Sequence, residues 1–103
     1  MQSMEVYTFP ETPTGWTEIP MEVREELRAL HGLGFTITIR DNGHARGFEV
    51  AIDRDDHEWE LVWHAEEKLE KLHGIRFDTG MGSMGRVWDL DWSLSHNGKR
   101  FYH

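Results

Sequence analysis

The sequence contains no cysteine among its 103 residues, and this absence excludes three classes of protein. A disulfide-stabilised secreted domain, a zinc site with thiolate ligands and an enzyme with a cysteine nucleophile all require the thiol group. A chain without any cysteine also fits the reducing environment of the cytosol. The sequence therefore predicts a cytoplasmic protein.

Long hydrophobic runs are absent as well. No apolar stretch approaches the roughly 20 residues that a membrane-spanning helix needs. The first ten residues contain Glu5 and no lysine or arginine, so they lack the basic start of a signal peptide. We therefore expect neither insertion into a membrane nor export.

Basic residues are scarce, with 11 lysines and arginines against 19 aspartates and glutamates, and the formal net charge is −8. Such a protein repels nucleic-acid phosphates and anionic lipids, because binding to either requires cationic side chains. It is attracted to cationic surfaces instead. We therefore expect a basic protein partner and no direct contact with nucleic acid or a membrane.

Large aromatic residues are what the sequence has in quantity, with five tryptophans and five phenylalanines. Each buried ring removes about 150–250 Å² from water. A chain of this length can therefore form a hydrophobic core, and its length predicts one domain that spans all 103 residues.

The spacing of apolar residues predicts alternating helices and strands in the order β-α-β-β-α-β-β. Apolar residues at helical spacing predict helices over 20–31 and 56–73, the second with Asp55 and Glu58 as a capping box. Asn42-Gly43 predicts a hairpin turn. Period-two alternation predicts the five strands of this order over residues 4–9, 35–40, 48–52, 75–77 and 88–94, and residues 99–103 are a candidate edge strand after them.

This order predicts an α+β fold, a two-layer sandwich with an antiparallel sheet and both helices on one face. The first six elements match the ferredoxin-like β-α-β-β-α-β plan, and the extra C-terminal β-hairpin is expected to extend the sheet. If the first strand is absent, the order α-β-β-α-β-β gives a two-layer sandwich of the same class.

Three glycines, Gly80, Gly82 and Gly85, form a G-x-G-x-x-G pattern after a predicted strand. The dinucleotide-binding version of this pattern needs a helix next, whose N-terminus holds the pyrophosphate, whereas alternation after Arg86 predicts a strand. Together with Val87, the segment resembles the phosphate loop of protein kinases, but the chain lacks their H-R-D and D-F-G motifs and is far too short. The glycines therefore predict a hairpin tip that could contact a ligand or partner.

Three aspartates, Asp78, Asp89 and Asp91, lie beside this glycine pattern. Carboxylates clustered on a sheet could hold a divalent metal ion for phosphoryl transfer or hydrolysis. The other interpretation is the polar face of a strand, with Arg76 and Arg86 available as cross-strand partners. We favour the second interpretation and keep a small metal- or phosphate-dependent enzyme as the alternative function.

The seven histidines do not have the spacing of a metal site. His57 and His64 are seven residues apart, which is about 10 Å along a helix and too far for both to bind one ion at about 2.1 Å. The zinc-protease pattern needs two histidines four residues apart. The sequence predicts no bound metal and no cofactor.

Carboxylates are concentrated in residues 53–70, where Arg54 and Lys68 are the only basic residues. Trp63 lies at the margin of the predicted apolar stripe and could be an exposed anchor for a partner. If the two helices are neighbours, their outer faces form a broad acidic surface; the alternative is a pair of solvated helices whose charge maintains solubility. The candidate partner-binding residues are Asp53, Asp55, Asp56, Glu58, Glu60, Trp63 and Glu67, with Glu22, Glu25 and Glu26 from the first helix.

These observations favour a non-enzymatic binding protein that docks on a basic, nucleic-acid-binding surface of its target, such as that of a nuclease. In size, charge and lack of a catalytic motif, the chain resembles small phage-encoded anti-defence inhibitors of the anti-CRISPR kind and nuclease immunity proteins. That resemblance implies an inhibitor with no catalytic residues, and it carries no residue-by-residue correspondence.

Overall fold

The computed structural model describes residues 5–41 and 47–101 of the chain. Within these ranges it contains two α-helices, α1 (Met21–Gly32) and α2 (Trp59–His73). A single 3₁₀ turn at Trp16–Glu18 precedes α1. The strands are β1 (Val6–Thr8), β2 (Thr36–Asp41), β3 (Phe48–Asp53), β4 (Ile75–Arg76), β5 (Asp78–Gly82), β6 (Gly85–Leu90), β7 (Ser95–His96) and β8 (Lys99–Arg100).

Five strands form one antiparallel sheet with the order β1-β2-β3-β6-β5. Alternation along the central strands sends one set of side chains to the face that both helices cover. This set is fully buried and includes Ile37, Ile39, Val50, Ile52, Trp88 and Leu90. The helices bury Val23, Leu27, Leu30, Val62, Ala65 and Leu69 in the same cluster. The predicted α+β fold with an antiparallel sheet and both helices on one face is confirmed.

The ferredoxin-like topology is not confirmed. In a split β-α-β unit, the two strands that flank a helix run parallel with another strand between them. Here β1 and β2 flank α1 but are direct antiparallel neighbours, and Val6 lies opposite Arg40. After α2 the chain enters the sheet at β5, which lies at its edge. Each strand of this sheet therefore pairs only with antiparallel neighbours, and the five described strands contain no split β-α-β unit.

The predicted C-terminal hairpin forms, with its turn at Asn97-Gly98, but it does not extend the large sheet. Strands β7 and β8 join β4 in a separate sheet with the order β4-β7-β8. Asn97 donates its backbone N–H to the carbonyl of Gly74 at 2.8 Å, which ties this hairpin to the end of α2. The prediction of one extended sheet was wrong at this point.

Strand β6 ends at Leu90, although the alternation predicted a strand to residue 94. The Asp91 carboxylate accepts hydrogen bonds from the backbone N–H of Ser93 at 2.9 Å and from its hydroxyl at 2.8 Å. An aspartate that bonds the backbone two residues ahead favours a turn over an extended strand. Leu94 is buried nevertheless.

Helix α2 begins at Trp59 and not at residue 56, and the predicted capping box is not formed. The guanidinium of Arg54 holds the Asp56 carboxylate through two hydrogen bonds of 2.6 and 2.9 Å. His57 then adopts a left-handed conformation with φ 59°. This turn replaces the first predicted helical residues, and Glu58 precedes the helix without a capping hydrogen bond from its side chain.

Gly80, Gly82 and Gly85 were predicted to form a hairpin tip, but the turn itself is limited to Ser83 and Met84, because Gly80 and Gly82 lie within β5 and Gly85 begins β6. Gly85 has φ +109°, and a Cβ atom there would lie 2.3 Å from the carbonyl oxygen of Ile52. Only glycine fits this conformation and this approach. The turn predicted at Asn42-Gly43 lies outside the described residues. Within the described residues, neither helix is long and apolar enough to cross a membrane.

We expect Gly85→Ala to destabilise the protein by about 2–3 kcal/mol, because the new methyl group clashes with the backbone of β3. Gly80→Ala is the matched control, since a Cβ atom at Gly80 meets no heavy atom within 4 Å. Its effect should stay within about 0.5 kcal/mol. Urea unfolding, monitored by tryptophan fluorescence, measures the stability of both variants. Equal losses of stability would contradict the conclusion that position 85 requires glycine.

Candidate functional site

The two helices lie side by side and run in opposite directions. Arg54, just before α2, donates a hydrogen bond to the carbonyl of Leu33, just after α1, at 2.6 Å. Lys68 on α2 forms an ion pair with Glu26 on α1 at 3.2 Å. The start of α2 is therefore beside the end of α1. Because α1 is about 18 Å long, Glu22 near its start lies far from the acidic segment before α2.

Several of the predicted partner-binding carboxylates form ion pairs within the molecule. Asp56 pairs with Arg54, and Asp53 lies 3.0 Å from His57. Hydrogen bonding to Arg54 lowers the pKa of Asp56, so this carboxylate stays ionised. Other helix carboxylates form the pairs Glu26 with Lys68, Glu67 with Lys71, and Glu70 with Arg76. Three of the nine predicted carboxylates, Asp56, Glu26 and Glu67, are therefore paired with an arginine or lysine, which lowers the net charge of the predicted surface.

Glu66, one of the eight acids in residues 53–70, points inward to the sheet. Its carboxylate accepts two hydrogen bonds from Arg86 at 2.7 and 2.8 Å, and a third from the indole N–H of Trp88 at 2.8 Å. The side chains of Glu66 and Arg86 are only 17% and 16% exposed. Hydrogen bonding to Glu66 raises the pKa of the Arg86 guanidinium, which therefore stays charged.

Three exposed carboxylates remain at the start of α2, those of Asp55, Glu58 and Glu60. None of them forms an ion pair with a described residue. Trp63 lies on the same side of the helix as Glu60, three residues further on, and its side chain is 46% exposed. We call Asp55, Glu58, Glu60 and Trp63 the α2 acidic surface. Glu22 and Glu25 also lack an ion-pair partner among the described residues, but they lie at the opposite end of the helix pair.

The aspartates of the alternative, enzymatic function do not assemble a metal site. Asp78 lies opposite Asp89 across the β5–β6 pair, while Asp91 is occupied by its hydrogen bonds to Ser93. Within residues 5–41 and 47–101, no three histidine, aspartate or glutamate side chains are placed to hold a metal ion. The strand, turn and second strand around the glycines likewise contain no helix N-terminus for a phosphate.

Asp89 nevertheless occupies an unusual position. Burial raises its pKa, and the nearby carboxylates of Asp91, Glu49 and Asp78 raise it further. Glu49 lies directly opposite Asp89 on β3. No arginine, lysine or histidine of the described residues forms an ion pair with Asp89. Its charge is therefore repelled by its neighbours and neutralised by none of them.

A groove of about 350 Å³ crosses the sheet face that the helices leave uncovered. Small residues, among them Thr38, Ala51 and Gly80, line it together with Glu49, Asp89 and the hairpin tip at Met84. A second hollow of about 220 Å³ adjoins it at Thr38 and Met84. Sequence reasoning missed this groove. Alternation showed which residues of β2 and β3 point away from the core, but not which residues of β5 and β6 lie beside them.

The geometry is the only guide to function for this chain. No protein-family model matches it, and neither a curated protein nor a solved structure is significantly similar to it. The two features that could act on another molecule are the α2 acidic surface and the groove. Both present charged side chains at a solvent-exposed surface, where another molecule could contact them.

We expect Glu66→Ala to destabilise the protein by about 3 kcal/mol, because it leaves the partly buried Arg86 guanidinium without its partner. Glu70→Ala removes the same group from an exposed pair with Arg76, so its effect should stay within about 0.5 kcal/mol. Chemical denaturation at neutral pH measures both variants. Similar losses of stability in the two variants would show that the Glu66–Arg86 pair contributes no more than an exposed ion pair.

We expect Asp89→Asn to be about 0.5 kcal/mol more stable than the natural protein at pH 7. A raised pKa makes the folded state bind the proton more tightly than the unfolded state, so stability falls as pH rises through the interval between the two values. The advantage of the variant should shrink as the pH is lowered and vanish below the unfolded-state pKa of about 3.9. Thermal unfolding of both proteins across this pH range tests the prediction. A stability difference that does not change with pH would show that the raised pKa of Asp89 is not its cause.

Proposed function

We propose that this protein is a small, non-enzymatic binding protein that engages a basic surface of another protein. The observation that carries this proposal is the α2 acidic surface: three exposed carboxylates at the start of α2 have no ion-pair partner among the described residues, and the same helix carries the exposed indole of Trp63. Charge of one sign speeds association with a surface of the opposite sign, and this effect weakens as salt is added.

The two components of this surface have different roles. An exposed ion pair contributes at most about 1 kcal/mol, so the carboxylates mainly select the partner and speed its approach. A tryptophan that becomes buried at an interface contributes far more, and residues of this type dominate measured binding energies. Trp63 is therefore the proposed anchor, and Asp55, Glu58 and Glu60 form its acidic rim.

The chemistry of this surface favours a partner that normally binds nucleic acid. A protein groove that binds phosphates is lined with lysine and arginine, and carboxylates presented on a rigid helix could occupy it in place of phosphates. In this role the protein would be an inhibitor, of a phage or another mobile element, that acts in the cytoplasm on a nuclease or a related effector. The net charge of −8 supports a basic target.

The test compares two double charge reversals that change the net charge equally. The site variant carries Glu58→Lys and Glu60→Lys, and the control carries Glu11→Lys and Glu18→Lys at exposed positions outside the α2 acidic surface. The probe is a fluorescein-labelled peptide of alternating arginine and serine, and fluorescence anisotropy gives Kd. We expect the site variant to weaken binding about tenfold, because about 1.4 kcal/mol of attraction is lost.

The control should change Kd by less than about threefold, since only the overall field of the protein changes. Binding by the natural protein should also weaken from low to physiological salt. Equal weakening by both variants would show that net charge alone attracts the peptide. That result would remove the α2 acidic surface as the docking site.

A further inference from the structure

The face of the sheet opposite the helices has no other element of the described residues packed on it. Strand register places one row of small residues across all five strands of the sheet. Adjacent strands are about 4.8 Å apart, so the row is about 19 Å long. Its members, from one edge of the sheet to the other, are Thr8, Thr38, Ala51, Val87 and Gly80.

The groove that contains most of this row has a charged side and a side formed by the hairpin tip. On the charged side, Arg40, Glu49 and Asp89 line the groove and are successive cross-strand neighbours, and Asp78 lies opposite Asp89 just outside the groove. On the other side, the guanidinium of Arg40 lies 4.0 Å from the sulfur of Met84 at the hairpin tip. Met84 lines both the groove and the adjoining hollow, and it is 48% exposed.

The charges in the groove favour a cationic occupant. Arg40 is the single cation of the row and lies 3.7 Å from Glu49. Asp78 and Asp89 form no ion pair with a described residue, so carboxylates outnumber cations along this side. Burial raises the pKa of Asp89, and repulsion from Asp91, Glu49 and Asp78 raises it further, in agreement with negative charge that lacks a counterion.

We propose that this groove binds an extended basic segment of the partner protein, with an arginine or lysine side chain placed between Glu49 and Asp89. The inference rests on the proposed function, a basic partner, and specifies the part of that partner that enters this site. An extended chain advances about 3.3 Å per residue, so about six residues would cross the row of small side chains. Their peptide groups would pass the hydroxyls of Thr38 and Ser83, which line the groove and can hydrogen-bond with a backbone.

The shape and the charge of the groove both favour a basic peptide over a metal ion or a nucleic acid. A groove that crosses several strands and is open to solvent suits an elongated chain better than a compact ion. A metal ion would need three or more converging ligands, and within the described residues no such group exists. Nucleic acid would be repelled by the carboxylates.

The experiment measures binding of the arginine–serine peptide by fluorescence anisotropy and blocks the groove with a side chain. Gly80→Leu places a bulky group in the groove without a steric clash, since a Cβ atom at Gly80 meets no heavy atom within 4 Å. Gly32→Leu is the matched control, because Gly32 at the end of α1 has equally open surroundings. We expect Gly80→Leu to weaken binding at least about tenfold and Gly32→Leu less than about twofold.

A second variant separates lost charge from lost folding. Asp89→Asn should weaken binding about tenfold although the variant is expected to be at least as stable as the natural protein, which thermal unfolding verifies. A peptide in which neutral citrulline replaces arginine should bind at least about tenfold more weakly than the arginine peptide. On addition of the arginine peptide, the backbone NMR signals of Thr38, Ala51 and Val87 should shift.

Several results would overturn the groove as the binding site. These are the absence of peptide binding by the natural protein, equal binding of the citrulline peptide, and unchanged affinity in Gly80→Leu. Self-association that Gly80→Leu abolishes would assign the groove to a second copy of this chain. If only the Glu58→Lys/Glu60→Lys variant loses affinity, the α2 acidic surface stands and the groove proposal fails. If only Gly80→Leu and Asp89→Asn lose affinity for the peptide, the peptide binds in the groove and not on the α2 acidic surface.

Discussion

One carboxylate determines how the helical layer sits on the sheet. Glu66 receives hydrogen bonds from Arg86 and Trp88, so a single side chain of α2 is joined to two neighbouring inward positions of β6. The bidentate geometry with Arg86 fixes the rotation of the helix, because a rotation by one residue would separate the guanidinium from both oxygens. With Glu66 turned inward, the opposite side of α2 is turned to solvent. The exposure of Glu60 follows from this contact together with the burial of Val62, Ala65 and Leu69 on the inner side of the helix. Trp63 lies between the two sides and is half-exposed.

The same arrangement explains why the second face of the sheet is open. Both helices pack on one side, and the remaining secondary structure is used in a small separate sheet that continues from the end of α2. The uncovered face then consists of outward residues that are small or charged. Thr38 and Ala51 lie side by side there, with Arg40 and Glu49 in the next row. A sheet face of this composition does not need a covering layer for stability, since few apolar atoms are exposed.

Local patterns predicted the elements well and their arrangement poorly. Alternation in β2 and β3 and helical spacing in α1 are properties of short segments, and the structure confirms them. The order of the strands depends on contacts between distant segments, and nothing in β1 alone indicates that it pairs with β2. The same limit applies to charge. Counting acids in residues 53–70 treated Glu66 as a surface residue, because its partner Arg86 is twenty residues further along the chain. The end of β6 was predictable in principle, since Asp91 and Ser93 have the spacing of an aspartate turn.

The two proposed binding regions are connected by Asp55, and this connection makes a single partner physically reasonable. Asp55 belongs to the α2 acidic surface and also lines the hollow that adjoins the groove at Met84. A basic chain that leaves the groove past Met84 would therefore pass Asp55 before it reaches the start of α2. Binding that combines an anchored segment with a second contact gains from the high effective concentration of the second site once the first is occupied. A folded basic domain with an extended basic tail would satisfy both regions together, whereas a compact domain could use only the helical one.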